Sequence, residues 1–511
     1  MRQPVAGWEQ GTPAPNHIFN DYLSARDGRL YFEDLDLTQL FLGDQRDQGL
    51  GRTLPSPLEI IYLPKLRQKI ARLNQIFAEA IAQVGYAGRF HYAYASKANA
   101  AEEVVRTVLG MGVNYEFSSA IDVDIARVMM KAGHLTPAQT VICNGFKPAG
   151  TVYASKIVRF QREHGNVIPV VEDLAELPPL IEADIPFEVG IRQKCYGEQR
   201  DITGMEAIDS RFGMNLDDIR RAAESIASAP HLHLKLYHAM VGGQMVDKDN
   251  FIARLRTPIE IYAQLRQKHP DLRIFDFGGG MPAPMTLDFD FDYHAFARQL
   301  LTTLQNICNQ HGVPVPDVMG EIGRYTVTEH GAHLFKILLS KSNGSQLPWY
   351  VIDGSIMSSF PDTWALGEHF IVLPLNHLDK PFRQVRLGGL TCDSDDVYPP
   401  ESSPAKLYLP VETNDLYVGF FGIGAYQEML GGAGGSKHCV IPEANELIID
   451  RDEDGNYVLQ LLPGQDPENV LKNLGYGEFR TARLARTGSS NYLGHRFAHS
   501  MRESRQVQRI S

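Results

Sequence analysis

The sequence predicts an α/β fold joined to an all-β one: a (β/α)8 barrel followed by a C-terminal β domain. Three observations predict it. Between about residues 85 and 330, eight short apolar runs alternate with longer amphipathic stretches, the pattern of a parallel barrel rather than an open sheet. Most of these runs end in polar or glycine residues, as expected if a site occupies the barrel's C-terminal face. After residue 330 the texture changes to strands separated by Gly, Pro and Asn turns.

The elements follow in order. Residues 1–60 hold the strand candidate GRLYFEDLDL (28–37), and LEIIYLP (58–64) straddles the next boundary. Both are expected to join the C-terminal β domain. The barrel is assigned to 61–330. Its strand candidates are FHYAYASK (90–97), VNYEFSS (113–119), TVICNG (140–145), VIPVVED (167–173), FEVGIRQ (187–193), LHLKLYHAMVGG (232–243), RIFDFGGG (273–280) and VPDVMGEIGR (315–324). The stretches between them read as helices. NLDDIRRAAESIASA (215–229) opens on Asn215 as N-cap with acidic residues in its first turn. The β domain spans 331–478, with strands in HLFKILLSK, PWYVIDGS, FIVLPLN, FRQVRLGGLT, AKLYLPV and LYVGFFGIGAY. ELIIDRDEDGNYVLQLL (446–462) reads as a hairpin turning at Asp454-Gly455. The tail, 479–511, carries seven arginines and few acids and reads as a solvated basic end.

Composition narrows the function. With 511 residues the chain can bury a large core in two or three domains. A net charge of −12 argues against nucleic acid or an anionic membrane as the main partner. The N-terminus lacks the apolar core of a signal peptide, and no segment is long enough to span a bilayer. The five cysteines show no metal-ligand spacing, which fits free thiols in a reducing, cytoplasmic setting and no metal site.

Three features suggest chemistry. Lys97 follows an apolar run, where barrel enzymes place catalytic groups; a desolvated lysine with a lowered pKa can form a Schiff base with an aldehyde. Gly278-Gly279-Gly280, after the seventh run, lets backbone amides approach an anion, although a triple glycine alone is equally a structural turn. Glu321-Ile322-Gly323-Arg324 ends the eighth run. An ionised Glu321 against a pyridine nitrogen would keep that ring an electron sink, and Arg324 would offer a fork to a phosphate. Taken alone the two are an ordinary rim pair.

Together these residues resemble the fold-type III pyridoxal-phosphate (PLP) amino-acid decarboxylases, which act on ornithine, arginine, lysine or diaminopimelate. The likeness covers about residues 60–440 and rests on motifs in order: YASKANA, ICNGFKP (142–148), DFGGGMP, GEIGR, TCDSDD (391–396) and GAYQEML (424–430). Within the family, SIMSSFPDTW (355–364), IVLPLNHLD (371–379) and GFFGIGAYQEMLG (419–431) are most similar to biosynthetic arginine decarboxylases. Only about twenty residues separate Arg324 from Trp349, so the helical insertion of those enzymes is not expected here, nor is their long helical C-terminus.

The resemblance implies an alanine-racemase-like TIM barrel binding pyridoxal 5'-phosphate, with Lys97 as its Schiff-base lysine and Glu321 on the pyridine nitrogen. It puts Gly279, Gly280, Gly323, Arg324 and Tyr426 around the phosphate, and Glu116 where it orients Lys97. Cys392 would protonate the α-carbon after carbon dioxide leaves, while Asp393, Asp395 and Asp362 would bind the substrate's cationic end. A homodimer with shared sites is implied. One departure stands out. Where the family has His-x-Gly-Ser-Gln, this chain has Met240-Val241-Gly242-Gly243-Gln244, so Met240 replaces a ring-stacking histidine and Gly243 a phosphate-binding serine. The expected reaction is L-arginine to agmatine and carbon dioxide. The alternatives are another substrate (ornithine, lysine, a diaminopimelate-like diacid, a D-amino acid or a carboxylated conjugate) or a catalytically weak regulator.

Overall fold

A computed structural model describes residue 8 and residues 11–43, 53–195, 210–342, 344, 347–401 and 403–476. The basic tail and the segment 196–209 lie outside the described residues.

All eight expected barrel strands form. They are Phe90–Ala95, Asn114–Phe117, Val141–Cys143, Val167–Val171, Phe187–Arg192, Leu232–His238, Ile274–Asp276 and Asp317–Glu321, in sequence order round a closed parallel barrel. The eighth strand closes on the first with Val318 opposite Phe90 and Glu321 opposite Ala93. Inside, Ala93, Ile142, Ile168, Val170, Leu236, Ile274 and Met319 form one buried cluster. The barrel is therefore a filled core whose chemistry is confined to its rim. The helix Leu216–Ser228 starts as its sequence indicates, with the Asn215 side chain accepting from the Asp218 amide at 2.9 Å.

The β domain is organised around the long strand Gly331–Lys341. It pairs antiparallel with Leu58–Tyr62, Trp349–Ile352 and Tyr417–Phe421 within a ten-stranded sheet of the described residues. The strand Leu58–Tyr62 thus joins the β domain as expected, while Leu63 and Pro64 begin the helix Leu63–Val84. Pro64 suits that position because the first helical turn needs no backbone donor. The hairpin Asn445–Arg451/Tyr457–Leu462 turns through Gly455 at φ +84°.

The expectation for 28–37 needs correction. Leu23–Arg26, Arg29–Phe32 and Leu35–Asp36 form a separate three-stranded antiparallel sheet. Asp27 and Gly28 both take positive φ, which closes a tight hairpin, and Glu33 at φ +54° turns the chain again. This small sheet still packs on the β domain: Phe32 and Leu30 share a core with Leu334 and Leu373, and the Leu30 amide reaches the Leu375 carbonyl at 2.8 Å.

Candidate active site

The strand ends bring six polar side chains to one rim of the barrel. Register explains which. His238 lies opposite Asp276 on the sixth and seventh strands, and Ala95 lies opposite Glu116 on the first and second. Lys97 stands two residues beyond Ala95 in the short 3-10 turn Ser96–Ala98, and Asn144 follows the third strand directly. Glu321 ends the eighth.

These groups form a buried polar floor. Asn144 Nδ2 donates to Glu116 Oε1 and to Glu321 Oε1, each at 2.8 Å. His238 Nε2 is 3.6 Å from Glu321 Oε2, and one ligand atom from each of His238, Asp276 and Glu321 lies within 4.8 Å of the others. Glu116 Oε2, Asn144 Oδ1 and both ring nitrogens of His238 are buried without a hydrogen-bond partner among the described residues. Such unsatisfied atoms are costly in a finished core and mark a place built for a ligand.

The electrostatics correct two expectations. Lys97 is reached by solvent through the barrel mouth, yet its pKa is raised, not lowered. The negative charge of Glu116 is the largest cause and, with Tyr426 and Glu321, outweighs the desolvation that would lower it. Glu321 is not favoured as an anion: burial first, then Asp276, push its pKa well up. Burial likewise lifts Glu116 to about 8 and Asp276 to about 7, and drives His238 well down to a neutral imidazole. Ionising Glu321 here requires a cation brought against it.

The glycine loop after the seventh strand, beside His238 and Glu321, is suited to an anion. Gly278 and Gly280 sit at φ +69° and +89°, and a Cβ on Gly280 would lie 2.5 Å from the Gly242 carbonyl oxygen, so only glycine fits. Gly279 and Gly323 are also tightly enclosed, against the Glu321 carbonyl oxygen and Ala98 respectively. Arg324 holds its guanidinium 4.8 Å from the Tyr426 ring centroid, donates from Nη1 to the Met285 sulfur at 3.4 Å and makes no ion pair among the described residues. Tyr426 takes φ +70°, unusual for a tyrosine, and its amide donates to the Ala98 carbonyl at 2.7 Å. That bond ties the β domain to the turn carrying Lys97. The Met240 sulfur comes within 3.0 Å of a Cβ built on Gly278, so it packs on the glycine loop; the space beside Gly243 is open to 4 Å.

The C-terminal candidates behave differently. Asp362 is buried and accepts from Gln427 Nε2 at 2.8 Å, which makes it a brace beside Tyr426. In TCDSDD, Asp396 anchors the loop by accepting from Ser355, the Met357 amide and both Thr391 donors. Cys392 and Asp395 are left exposed, and Asp393 pairs with His438 at 3.1 Å. Among the described residues, no hydrogen bond or ion pair joins Cys392, Asp393 or Asp395 to the barrel floor of the same chain.

Residues 67–328, just over half of the chain, match the model of the pyridoxal-dependent decarboxylases' pyridoxal binding domain. The chain belongs to that family. The pyridoxal-dependent decarboxylase described here is 22% identical to the biosynthetic arginine decarboxylase of Geobacter sp. (strain M21), over 84% of this chain and 85% of that one. It is 23% identical to the namesake of Thermosynechococcus vestitus over 92% and 90%. Its fold is similar to that of the Campylobacter jejuni biosynthetic arginine decarboxylase, with a TM-score of 0.76, 19% identity and 95% of each chain covered. It is also similar to that of a diaminopimelate decarboxylase from M. jannaschii, with a TM-score of 0.72, 17% identity and 89% and 98% covered.

The decarboxylase's residues fit its family's cofactor. A primary amine in the mouth, an unpaired guanidinium beside a glycine cradle, and carboxyls whose ionisation awaits a cation match the aldehyde, phosphate and ring nitrogen of PLP. Sequence reasoning overlooked Asn144 and Asp276 as site residues. His238, two residues before Met240, is also part of the floor. All three occupy strand ends of the kind already singled out for Lys97 and Glu321.

Proposed function

We propose that this decarboxylase removes the α-carboxyl group of a basic amino acid, L-arginine first, as a homodimer with shared sites. The observation that carries the reading is the Lys97–Glu116–Asn144–Glu321 floor in a chain similar over most of its length to biosynthetic arginine decarboxylases. The half-buried Asp393 and the exposed Asp395 supply the carboxylates that a guanidinium pairs with best.

Bound PLP supplies an electron sink for the charge left on the α-carbon when carbon dioxide departs. The chain does the rest. Lys97 holds its proton tightly while Glu116 is ionised, and must lose it before its nitrogen can bond to a carbonyl carbon; Glu116, which burial lifts to about 8, would take that proton and become the protonated carboxyl. Asn144 keeps Glu116 and Glu321 in fixed register and shields each from the other. Glu321 would hold the ring nitrogen, while Arg324, Tyr426, Gly279, Gly280 and Gly323 would hold the phosphate. Gly243 leaves there a gap where the family has a hydroxyl. Cys392, exposed in one protomer, would reach the partner's site and deliver its thiol proton to the α-carbon. Asp393 would steer the substrate's cationic end.

The test is carbon dioxide release from a panel of L- and D-amino acids by PLP-loaded protein. Arginine should be turned over best, and Asp393→Ala should raise KM for arginine while leaving PLP affinity within about twofold. Robust release from another amino acid with none from arginine would reassign the substrate.

A further inference from the structure

A second polar cavity, of about 590 Å³, shares no lining residue with the barrel floor. It lies between the helix Leu63–Val84, the small N-terminal sheet and the segment 284–293. Lys65, Lys69 and Arg72 line it from one face of that helix, at the i, i+4, i+7 spacing that stacks side chains on a single stripe. Asp21, Glu33 and Asp290 line it from the other elements.

Two of these charges are already engaged. Lys69 pairs with the fully buried Glu329 and lies 4.1 Å from the Tyr325 ring centroid. Glu33 accepts from the Tyr62 hydroxyl at 2.8 Å. Others are not. Lys65 is only 4% exposed, yet its ammonium makes no hydrogen bond among the described residues; its nearest acid, Glu33, is 3.9 Å away and its remaining contact is the Tyr22 ring at 4.8 Å. The ammonium's three donors open on the cavity, where a bound group can accept from them. The hydroxyl of Tyr325, which lines the same cavity, is buried and has no hydrogen-bond partner among the described residues. At the rim, no ion pair joins Arg72 to Asp21 or Asp290 among the described residues, so unlike charges face one another across the cavity unneutralised.

We propose that this cavity is a binding site for a small zwitterionic α-amino acid, its carboxylate on the Lys65–Arg72 face and its ammonium toward Asp21 and Asp290. A ligand with both charges closes the gap that the protein's own side chains leave open. A bare anion would leave the acids uncompensated, and a bare cation would leave Lys65 so. The volume holds an amino acid and several waters.

The experiment is equilibrium dialysis of radiolabelled L-arginine, L-lysine and L-glutamine against borohydride-reduced holoenzyme. Parent protein is compared with Lys65→Met and with the double variant Asp21→Asn/Asp290→Asn. At least one probe should bind the parent at one equivalent per chain beyond any retained by Lys65→Met. Its affinity should fall about tenfold in Lys65→Met and about threefold or more in the double variant, whose changed residues are exposed. Acetate or methylamine at equal concentration should not displace it. The proposal is overturned if no probe binds up to about 10 mM, if both variants bind as the parent does, or if acetate competes as well as the amino acid.

Discussion

Asn144→Ala is the sharpest perturbation of the barrel floor. Its amide spends both protons at once, 2.8 Å from Glu116 Oε1 and 2.8 Å from Glu321 Oε1. With a cationic ring against Glu321, one of these bonds goes to an ionised carboxylate and the other to a protonated carboxyl. Such bonds contribute about 1.5–3 and about 0.5–1.5 kcal/mol respectively. The deletion also removes Asn144 Oδ1, itself buried without a partner, which returns on the order of 1 kcal/mol. The net loss is roughly 1–3 kcal/mol, or about 5–150-fold in kcat/KM. Two assays read it: carbon dioxide release with the substrate the amino-acid panel identifies, and PLP dissociation by absorbance, which needs no substrate. Asn144→Asp should do worse and worsen as pH rises, because it adds a third carboxyl to a pair that burial already holds protonated, Glu116 at about 8. If Asn144→Ala stays within about twofold of the parent in kcat, KM and PLP affinity, the bridge does not organise the site and the reasoning fails.

Three more outcomes are expected. Met240→His with Gly243→Ser should tighten PLP binding by about one to two orders of magnitude, since a hydrogen bond to a charged group contributes about 1.5–3 kcal/mol and nothing lies within 4 Å of a Cβ at position 243; unchanged PLP dissociation would make both residues mere packing. Mixing Lys97→Ala with Cys392→Ala protein should restore activity through hybrid dimers that keep one intact site, and no recovery despite proven subunit exchange would refute shared sites. Stability should fall as pH rises from about 5 to about 8 and then level off, because Glu59 and Glu428 are held at about 8 and about 7 by burial and neighbouring carboxylates. The native state there binds more protons than the unfolded one, so the stabilisation present below the ordinary carboxyl range is lost as pH passes through the folded values. Glu59→Gln should flatten the dependence of Tm on pH; an unchanged slope would remove Glu59 from the account.

What the residues made legible was mostly local. The eight barrel strands, the Asn215 cap and the hairpin at Gly455 each rest on a period, a cap or a turn residue within a short window. The motifs that resemble the family also led to the Lys97–Glu321 rim. What escaped depends on neighbours distant in sequence. Lys97 is held protonated because strand register brings Glu116 beside Ala95, a charge no reading of YASKANA contains. His238 and Asp276 become a pair only through the pairing of the sixth and seventh strands. Asp362 looked available for substrate until Gln427, on another element, took its oxygen. The N-terminal sheet was a nearer miss, since Asp27-Gly28 is itself a hairpin signal.

The central claim is that Lys97 carries the cofactor of a pyridoxal-dependent decarboxylase. Borohydride reduction of the PLP-loaded protein, followed by proteolysis and mass spectrometry, tests it most directly. The account predicts the reduced cofactor's mass on the peptide containing Lys97 and on no other, and loss of the label in Lys97→Ala. A label on a different lysine, or none on a protein that retains PLP, would contradict it.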